Sequence, residues 1–232
     1  MAWRSSGTSN RELIENLWRN KLITSPEVKE AFLKVDRAHF TPTSPYTDSP
    51  QPIGHLATIS APHMHASAVE SLLPFLLPSP AHPAPRVLDI GSGSGYLTAV
   101  MAELAGPRGV VVGVEHIDAL RELGERNVGR SERGRGWLGS GRVRFRVGDG
   151  RRGWEAERGE IRKWDAIHVG AAAVEVHEEM LEQLAAPGRM FIPVDDEGGW
   201  GQHIWTVDKD KEGKVERRKL FGVKYVPLTD AP

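Results

Sequence analysis

Apolar positions in the first 77 residues repeat with the period of an α-helix in three separate segments. The predicted helices lie in NRELIENLWRN, from Ser25-Pro26 onward, and from about Pro62 into the 70s. Between the last two lies HFTPTSPYTDSPQPIGHLATIS, a long turn-rich segment of the kind that often carries function. The positions that we expect to face inward are Leu13, Ile14, Leu17 and Trp18; Val28, Ala31, Phe32 and Val35; and Met64, Ala68, Leu72 and Leu76.

After a proline-rich connector at 78–85, short apolar runs alternate with helical stretches. This alternation predicts an α/β fold with a doubly wound, mostly parallel seven-stranded sheet of the Rossmann-like type, preceded by a helical and loop extension. The predicted strands are 86–91, 109–115, 142–149, 164–170, 189–194, about 202–208 and about 218–226, and the predicted helices are 96–106, 117–130 and 175–188. We expect one domain over 1–232, made of an N-terminal part (1–77), a core (86–194) and C-terminal strands (195–232).

The bulk composition narrows the function classes only slightly. Apolar residues make up 39% and charged residues 26% of the 232 residues, as in ordinary globular proteins. The net charge of -1 gives no field that would attract nucleic acid or a membrane. Cysteine is absent, which excludes disulfides and thiolate metal sites and fits a reducing compartment. Because MAWRSSGTSN is not a signal peptide and no apolar run approaches the ~20 residues of a membrane span, we expect a cytoplasmic protein.

The first strand of the alternating region continues into DIGSGSGY, a glycine-rich turn between a strand and a helix. Ligands of open parallel sheets bind at such turns, where glycine lets the backbone approach them closely. A dinucleotide-binding loop would have its third glycine at the position of Tyr96. Asp89, two residues before Gly91, would repel a pyrophosphate and attract a cation. S-adenosylmethionine fits this pattern, because it carries an ammonium and a sulfonium but no phosphate.

Two further acidic residues end the next two predicted strands. Glu115 ends the second strand, where a carboxylate can bind both hydroxyls of a ribose. Asp149 lies in GDG after the third strand and could accept a hydrogen bond from an adenine amino group. Each acid alone could be an ordinary cap or turn residue. Together with Asp89 they lie at three successive strand ends, which favours a polar cradle for an adenosyl sulfonium.

Several sequence blocks resemble known methyltransferases. VLDIGSGSGYLTAV resembles the first motif of class I S-adenosylmethionine-dependent methyltransferases. DSPQPIGHLATISAPHMHA resembles the substrate and cofactor loop of the protein-L-isoaspartate (D-aspartate) O-methyltransferase family, and DAIHVGAAA, APGRMFIPV and YVPLTD resemble later family blocks in the same order. The resemblance implies a monomer that methylates the α-carboxylate of L-isoaspartyl, and also D-aspartyl, residues in damaged proteins and so starts their repair. S-adenosyl-L-homocysteine is the implied cofactor product, and neither a membrane nor nucleic acid is an implied partner.

The resemblance also assigns roles to residues. Ser60 is the implied catalytic residue, donating a hydrogen bond that aims the substrate carboxylate. That carboxylate is ionised at neutral pH and needs alignment rather than a base. The residues implied to contact the cofactor are Ala57, Thr58, Ile59, Ser60, His65, Asp89, Gly91, Ser92, Glu115, His116, Asp149, Gly150 and Thr229. Two alternatives remain open, because Ser60 also stands where a helix N-cap serine belongs and His65 could be a packed core histidine.

The histidines of APHMHA do not predict a metal site. His63 and His65 are two residues apart, about 200° around a helix axis at 3.6 residues per turn. Side chains so placed cannot chelate one ion, so we expect no metal and interpret His63 as structural.

An arginine-rich segment departs from the family pattern. Residues 121–163 contain thirteen basic residues against seven acidic ones, and we predict that 129–141 is a flexible glycine-arginine loop. Arg142, Arg144 and Arg146 alternate with apolar residues, which places them on one face of a strand. We interpret this face as solvated, with an anion or RNA surface as the alternative. The chain stops at TDAP, whereas family members often continue with a helical tail whose glutamine borders the cofactor pocket.

Two other functions compete with this interpretation. A nucleic-acid methyltransferase could use the arginine-rich face, but VGAAA after the fourth strand lacks an aromatic platform for a base. A non-catalytic cofactor-binding adaptor is the other candidate, and the intact glycine loop and Ser60 argue against it.

Overall fold

The computed structural model describes residues 5–80, 82–154, 163–199 and 201–229. The helices are α1 (Asn10–Arg19), α2 (Pro26–Lys34), α3 (Pro62–Leu76), α4 (Tyr96–Leu104), α5 (Asp118–Val128), α6 (Glu132–Gly139) and α7 (Glu178–Gln183). The strands are β1 (Gln51–Gly54), β2 (Ala57–Ile59), β3 (Arg86–Ile90), β4 (Val110–Glu115), β5 (Val143–Val147), β6 (Trp164–Val169), β7 (Leu184–Asp195), β8 (Gln202–Lys209) and β9 (Val215–Val223). Within these described ranges no helix has both the length and the apolar character of a membrane span.

Seven strands form one sheet in the order β5-β4-β3-β6-β7-β8-β9. The pairs β4–β5, β3–β4, β3–β6 and β6–β7 are parallel, and β7–β8 and β8–β9 are antiparallel. The order reverses direction at β3, because β4 lies on one side of it and β6 on the other. Such a switch point opens a crevice at the carboxyl ends of the strands. The predicted mostly parallel, seven-stranded α/β sheet is confirmed.

Helices cover both faces of the sheet. On one face Val87 of β3 and Phe191 of β7 pack with the buried stripes of α1 to α4. On the other face Leu88 and Trp164 pack with Met180 of α7. Successive residues of β3 point to opposite faces, as expected for a strand that is buried on both sides. The residues predicted to face inward in α1, α2 and α3 are buried, except Trp18 and Met64, which are partly buried.

The turn-rich segment before α3 contains a hairpin that the sequence pattern did not reveal. Strands β1 and β2 pair antiparallel with Gln51 opposite Ile59. His55 and Leu56 form the turn with positive φ angles of 51° and 58°. Two consecutive residues with positive φ match the right-handed twist of a hairpin. The usual Asn-Gly signal of such a turn is missing here, so composition alone indicated only a loop.

The prediction of a flexible glycine-arginine loop at 129–141 was wrong, because the segment contains helix α6. Ser131 caps this helix by accepting a hydrogen bond from the Gly134 nitrogen at 2.9 Å. Trp137 is buried in the core cluster that includes Val143. A Cβ atom at Gly134 would lie 1.9 Å from the Val128 carbonyl oxygen, so this glycine serves close packing. The glycine content indicated a loop, whereas the serine cap followed by a buried tryptophan is typical of a short packed helix.

The helix predicted at 175–188 is shorter than expected, since α7 ends at Gln183 and β7 begins at Leu184. Leu184 lies opposite Trp164 in the parallel pair with β6. The Lys209 ammonium also donates to the Leu184 carbonyl oxygen at 3.0 Å. Pairing with neighbouring strands therefore overrides the local helical pattern of LEQLAAPG.

Candidate active site

A cavity of about 400 Å³ opens at the carboxyl ends of β3 and β4, on the side of the hairpin turn. Its walls come from the β1–β2 turn, the glycine loop after β3, the end of β4 and three later loop segments. The lining residues are His55, Leu56, Ala57, Thr58, Ile90, Gly91, Gly93, Val114, Glu115, His116, Ile117, Leu120, Gly148, Gly150, Gly170, Ala171, Val226, Pro227, Leu228 and Thr229. The cavity therefore lies at the switch point where ligands of such sheets bind.

Seven of the thirteen residues predicted to contact the cofactor line this cavity. They are Ala57, Thr58, Gly91, Glu115, His116, Gly150 and Thr229. The other six lie around it without lining it, and they are Ile59, Ser60, His65, Asp89, Ser92 and Asp149. The cofactor role of each residue stays a prediction.

The glycine loop wraps closely around the cavity wall. Gly91, Gly93 and Gly95 have φ angles of 72°, 48° and 80°, a region that residues with a Cβ rarely adopt. A Cβ atom at Gly95 would lie 2.9 Å from the Gly124 carbonyl oxygen of α5. Glycine here is thus required by backbone conformation and by the close approach of two helices.

Glu115 is a buried carboxylate in the cavity wall, with 6% of its surface exposed. Its Oε2 accepts a hydrogen bond from the Gly93 nitrogen at 3.0 Å, and its Oε1 accepts one from the His116 nitrogen at 2.9 Å. These bonds hold the side chain against the glycine loop. Oε1 also accepts a longer hydrogen bond from the Ile117 nitrogen at 3.4 Å, whereas Oε2 keeps a further lone pair that can accept from a ligand hydroxyl.

Asp89 is placed behind the cavity rather than in its wall. Its Oδ2 accepts from the Thr98 hydroxyl at 2.5 Å, and its Oδ1 lies 2.8 Å from Nδ1 of His168. The carboxylate thus joins β3 to α4 and β6 directly below the glycine loop. His168 and Thr98 complete this network. In the sequence, His168 stands out only as part of the DAIHVG block, and no residue spacing predicts its contact with Asp89.

Asp149 is bound by Arg151, which follows it by two residues. The carboxylate accepts from the Arg151 nitrogen at 3.0 Å and from its guanidinium at distances of 2.7–3.1 Å. This hydrogen bonding by Arg151 holds the pKa of Asp149 below its usual value. Gly148 and Gly150, on either side, line the cavity, so the backbone of this turn borders the site while the carboxylate faces Arg151.

The segment 226–229 closes the cavity from the C-terminal side. The Ala172 nitrogen donates to the Val226 carbonyl oxygen at 2.8 Å, and the Leu228 nitrogen donates to the Ala172 carbonyl oxygen at 2.7 Å. The His116 ring lies 3.1 Å from the Thr229 carbonyl oxygen. Of this segment the sequence singled out only Thr229. The signal for the other three residues was the YVPLTD block.

Ser60 stands between the end of β2 and the start of α3, next to the hairpin residues that line the cavity. Its carbonyl oxygen accepts a hydrogen bond from Nη2 of Arg37 at 2.8 Å. Burial raises the pKa of Tyr225 to about 12, and a hydrogen bond with the Ser60 side chain opposes that rise. The Tyr225 phenol is therefore protonated at neutral pH and lies beside the Ser60 hydroxyl.

The N-cap interpretation of Ser60 was wrong. The N-cap position of α3 belongs to Ala61, with Pro62 as the first helical residue. The His63 nitrogen of the first turn instead donates to Oδ1 of Asp48 at 3.0 Å. A carboxylate from the preceding loop thus satisfies the donor that a capping serine would satisfy. The Ser60 hydroxyl is left for another role.

His65 is buried, with 7% of its surface exposed, and lies against aromatic and cationic groups. Its ring centroid is 5.4 Å from that of Tyr96, and its Nδ1 lies 3.4 Å from Nη1 of Arg37. Burial, followed by the charge of Arg37, lowers the pKa of His65 well below its usual value, so the ring is neutral. His63 binds Asp48 through Nδ1 at 2.8 Å. Among the residues that the structure describes, no three His, Asp or Glu side chains are grouped so that they could hold a metal ion.

A known protein family, several relatives and a solved structure match this chain along nearly its whole length. The family model described as protein-L-isoaspartate(D-aspartate) O-methyltransferase (PCMT) matches residues 8–232. A protein-L-isoaspartate O-methyltransferase of Caenorhabditis elegans is 45% identical over 229 residues, which is 99% of this chain and 96% of that protein. The similarly named protein of Triticum aestivum is 45% identical over 222 residues, covering 95% and 91%. Among solved structures, a beta-aspartate methyltransferase (PCMT) from Plasmodium falciparum in complex with S-adenosyl-L-homocysteine gives a TM-score of 0.86 at 32% identity, covering 96% of this chain and 99% of that one.

Proposed function

This chain belongs to the protein-L-isoaspartate (D-aspartate) O-methyltransferase family, and we propose that it methylates the α-carboxylate of L-isoaspartyl residues in damaged proteins and peptides. It is an S-adenosylmethionine-dependent carboxyl methyltransferase, and S-adenosyl-L-homocysteine is its second product. The methyl ester formed is the first intermediate in repair of the abnormal residue. D-aspartyl residues belong to the same proposal.

The residues around the cavity fit S-adenosylmethionine. A volume of about 400 Å³ falls within the range of small-molecule sites. Gly91 and Gly93 of the glycine loop line the cavity beside Glu115 and carry no side chain that would fill it, and Glu115 can accept a hydrogen bond from a ribose hydroxyl. We assign Glu115 to the ribose and the backbone of 148–150 to the adenine side of the cavity.

The chemistry requires little from the protein beyond alignment. S-adenosylmethionine supplies a methyl group on a sulfonium, and the substrate carboxylate is ionised well above its pKa of about 3.5–4. We propose that the Ser60 hydroxyl donates a hydrogen bond to this carboxylate and aims one oxygen at the methyl group. Tyr225, protonated beside Ser60, keeps that hydroxyl oriented. Holding the carboxylate and the methyl group in this orientation lowers the entropy cost of bringing the two molecules together in the transition state.

The position of Ser60 next to the cavity-lining residues along the chain is the observation that carries this proposal. Ala57 and Thr58 of β2 line the cavity, and Ser60 follows two residues later on the same segment. A substrate bound at Ser60 would therefore lie beside the cofactor cavity. In this arrangement Glu115 binds the cofactor and Ser60 binds the substrate.

Transfer of labelled methyl to a matched pair of peptides tests the function. One peptide contains an isoaspartyl residue, and its twin of the same sequence contains a normal aspartyl residue. We expect the isoaspartyl peptide to be labelled and the twin to remain unlabelled, because only the former presents an α-carboxylate beside the peptide backbone. A D-aspartyl peptide in the same assay measures the second substrate class. Equal labelling of the isoaspartyl and aspartyl peptides would contradict a repair function.

We also propose that the enzyme acts as a monomer in the cytoplasm on proteins rather than nucleic acid. Arg142 of the basic strand is engaged internally, donating to the Ala102 and Gly109 carbonyl oxygens at 3.1 and 3.2 Å. Sedimentation at micromolar concentration and cell fractionation measure the oligomeric state and location, and labelling of RNA in the methyl-transfer assay would contradict the protein preference.

A further inference from the structure

Arg37 carries a charge that its surroundings do not neutralise. The residue lies in a short 3₁₀ turn, Arg37–His39, and is fully buried with 0% exposure. Within the described part of the chain its guanidinium forms no ion pair, and its Nε has no hydrogen-bond partner. Buried charges in proteins are ordinarily paired with an opposite charge or bound to a metal. An unpaired buried guanidinium therefore needs an explanation.

The groups around Arg37 are neutral or already engaged. Nη1 faces the neutral His65 ring at 3.4 Å, and the guanidinium lies 5.0 Å above the Tyr96 ring. Burial lowers the pKa of Arg37 to about 10, which leaves it charged at neutral pH. Asp48 acts on that charge electrostatically, but its Oδ1 is bound by His63 and its buried Oδ2 has no partner among the described residues. The positive charge is thus only partly balanced.

The guanidinium holds the residue that we assign to the substrate. Nη2 of Arg37 donates to the Ser60 carbonyl oxygen at 2.8 Å across a sequence separation of 23 residues. The junction between β2 and α3 has no side-chain cap of its own, since Ala61 occupies the N-cap position. This hydrogen bond therefore fixes the peptide plane that follows Ser60 and limits where the Ser60 hydroxyl can point.

From this geometry we propose that Arg37 is a positioning residue for Ser60 and that the α-carboxylate of the bound isoaspartyl residue completes its charge balance. The inference rests on the proposed function. The carboxylate would bind on the hydroxyl side of Ser60 while Arg37 holds the carbonyl side. Two charges separated by one residue in a dry environment attract strongly, because little water screens them. The site then selects an anion at this position, which distinguishes the substrate from its methyl ester product.

Arg37→Gln tests this proposal, because glutamine can still donate to the Ser60 carbonyl oxygen but has no charge. The readout is the ratio of dissociation constants for an isoaspartyl peptide and its α-carboxamide analogue, measured with S-adenosyl-L-homocysteine bound. We expect the native enzyme to bind the carboxylate about tenfold more tightly, equal to 1.4 kcal/mol. Arg37→Gln should bring the ratio close to one while the affinity for S-adenosyl-L-homocysteine changes less than about twofold.

Arg142→Gln is the matched control. Arg142 is partly buried and, like Arg37, donates to backbone carbonyl oxygens, here those of Gly109 and of Ala102 in α4. We expect this variant to melt at a lower temperature and to keep the native carboxylate preference. A loss of preference in Arg142→Gln equal to that in Arg37→Gln would assign the effect to general destabilisation and overturn the proposal.

Arg37→Lys separates charge from geometry and also covers the case in which Arg37→Gln does not fold. Lysine keeps the charge but cannot hold Ser60 and face His65 with one planar group. We expect it to keep most of the carboxylate preference and to lower kcat about tenfold, while native kcat and KM would contradict the positioning role. Absence of a carboxylate preference in the native enzyme overturns the inference without any variant. If that enzyme still methylates the isoaspartyl peptide and spares its aspartyl twin, the proposed function stands and only the role of Arg37 fails.

Discussion

The part of the site around the cavity, with Asp89, Glu115 and Asp149, is the cofactor side, and the part around Ser60, with Arg37 and Asp48, is the Ser60 side. The two sides differ in how the hydrogen-bonding groups of their buried side chains are satisfied. On the cofactor side Asp89, Glu115 and Asp149 all have hydrogen-bond partners within the chain. Ser92, whose buried hydroxyl has no partner among the described residues, is the exception there. On the Ser60 side Nε of Arg37 and Oδ2 of Asp48 are buried without partners in the same part of the structure.

This difference indicates two ways of binding. We propose that the cofactor side is a preformed cradle, because hydrogen bonds within the chain hold its acids in place, which lowers the cost of organising them on binding. The Ser60 side keeps a partly unbalanced charge, and an anionic substrate is the group that can balance it. Unpaired buried polar groups destabilise a protein unless something completes them. A substrate that supplies the missing charge is therefore bound selectively.

Ser60→Ala should produce the largest effect and should act only on the substrate side. Loss of one hydrogen bond to a charged group costs about 1.5–3 kcal/mol, or roughly 10- to 150-fold in turnover. Cofactor affinity should persist, because Ser60 does not line the cavity. Turnover of an isoaspartyl peptide and calorimetry with S-adenosyl-L-homocysteine on the same sample measure both.

Ser60→Thr is the matched control, since it keeps the hydroxyl and adds one methyl group, and it should retain part of the activity. A normal rate in Ser60→Ala would remove Ser60 from the reaction. A fall in cofactor affinity as large as the fall in rate would contradict the division of the site into two sides.

Glu115→Ala should produce the opposite pattern. Removal of the carboxylate is expected to weaken S-adenosyl-L-homocysteine binding by about 1–3 kcal/mol, because a ribose hydroxyl loses a charged acceptor. Turnover at saturating cofactor should fall less than the affinity does. Calorimetry measures the change, and Glu122→Ala on the exposed face of α5 is the control. Native affinity in Glu115→Ala would show that the ribose binds elsewhere.

The cofactor side could be predicted from the sequence more completely than the Ser60 side. A glycine loop after a buried strand and acids at successive strand ends are local signals, and the parallel sheet brings them together. The direction of each side chain was not local. Asp89 turns to Thr98 and His168, which lie on two other elements. No spacing of residues along the sequence predicts these side-chain contacts.

The Ser60 side depends on contacts between distant parts of the chain. Arg37 reaches Ser60 across 23 residues, and Asp48 reaches His63 across 15. The sequence pattern indicated a long functional loop but neither the hairpin nor the source of the α3 cap. Helix α6 was missed for a related reason, because Gly134 is required by the nearby Val128 carbonyl oxygen rather than by flexibility. Contacts of this kind are decided by packing, which composition does not encode.

Asp149→Asn should have the smallest effect and shows how firmly the cradle is preformed. If the carboxylate keeps its bonds to Arg151 when the cofactor binds, the substitution should change S-adenosyl-L-homocysteine affinity by less than about threefold and stability by about 0.2–1 kcal/mol. Arg151 holds the pKa of Asp149 below its usual value, so the stabilisation is present above the unfolded value of about 3.9 and is lost as pH falls through the lowered one. The melting temperatures of the native and Asp149→Asn proteins should therefore differ at pH 7 and converge as the pH falls below 4, with calorimetry at pH 7 giving the affinity. A loss of affinity as large as that of Glu115→Ala would mean that Asp149 leaves Arg151 to bind the adenine amino group, and the cofactor side would then reorganise on binding.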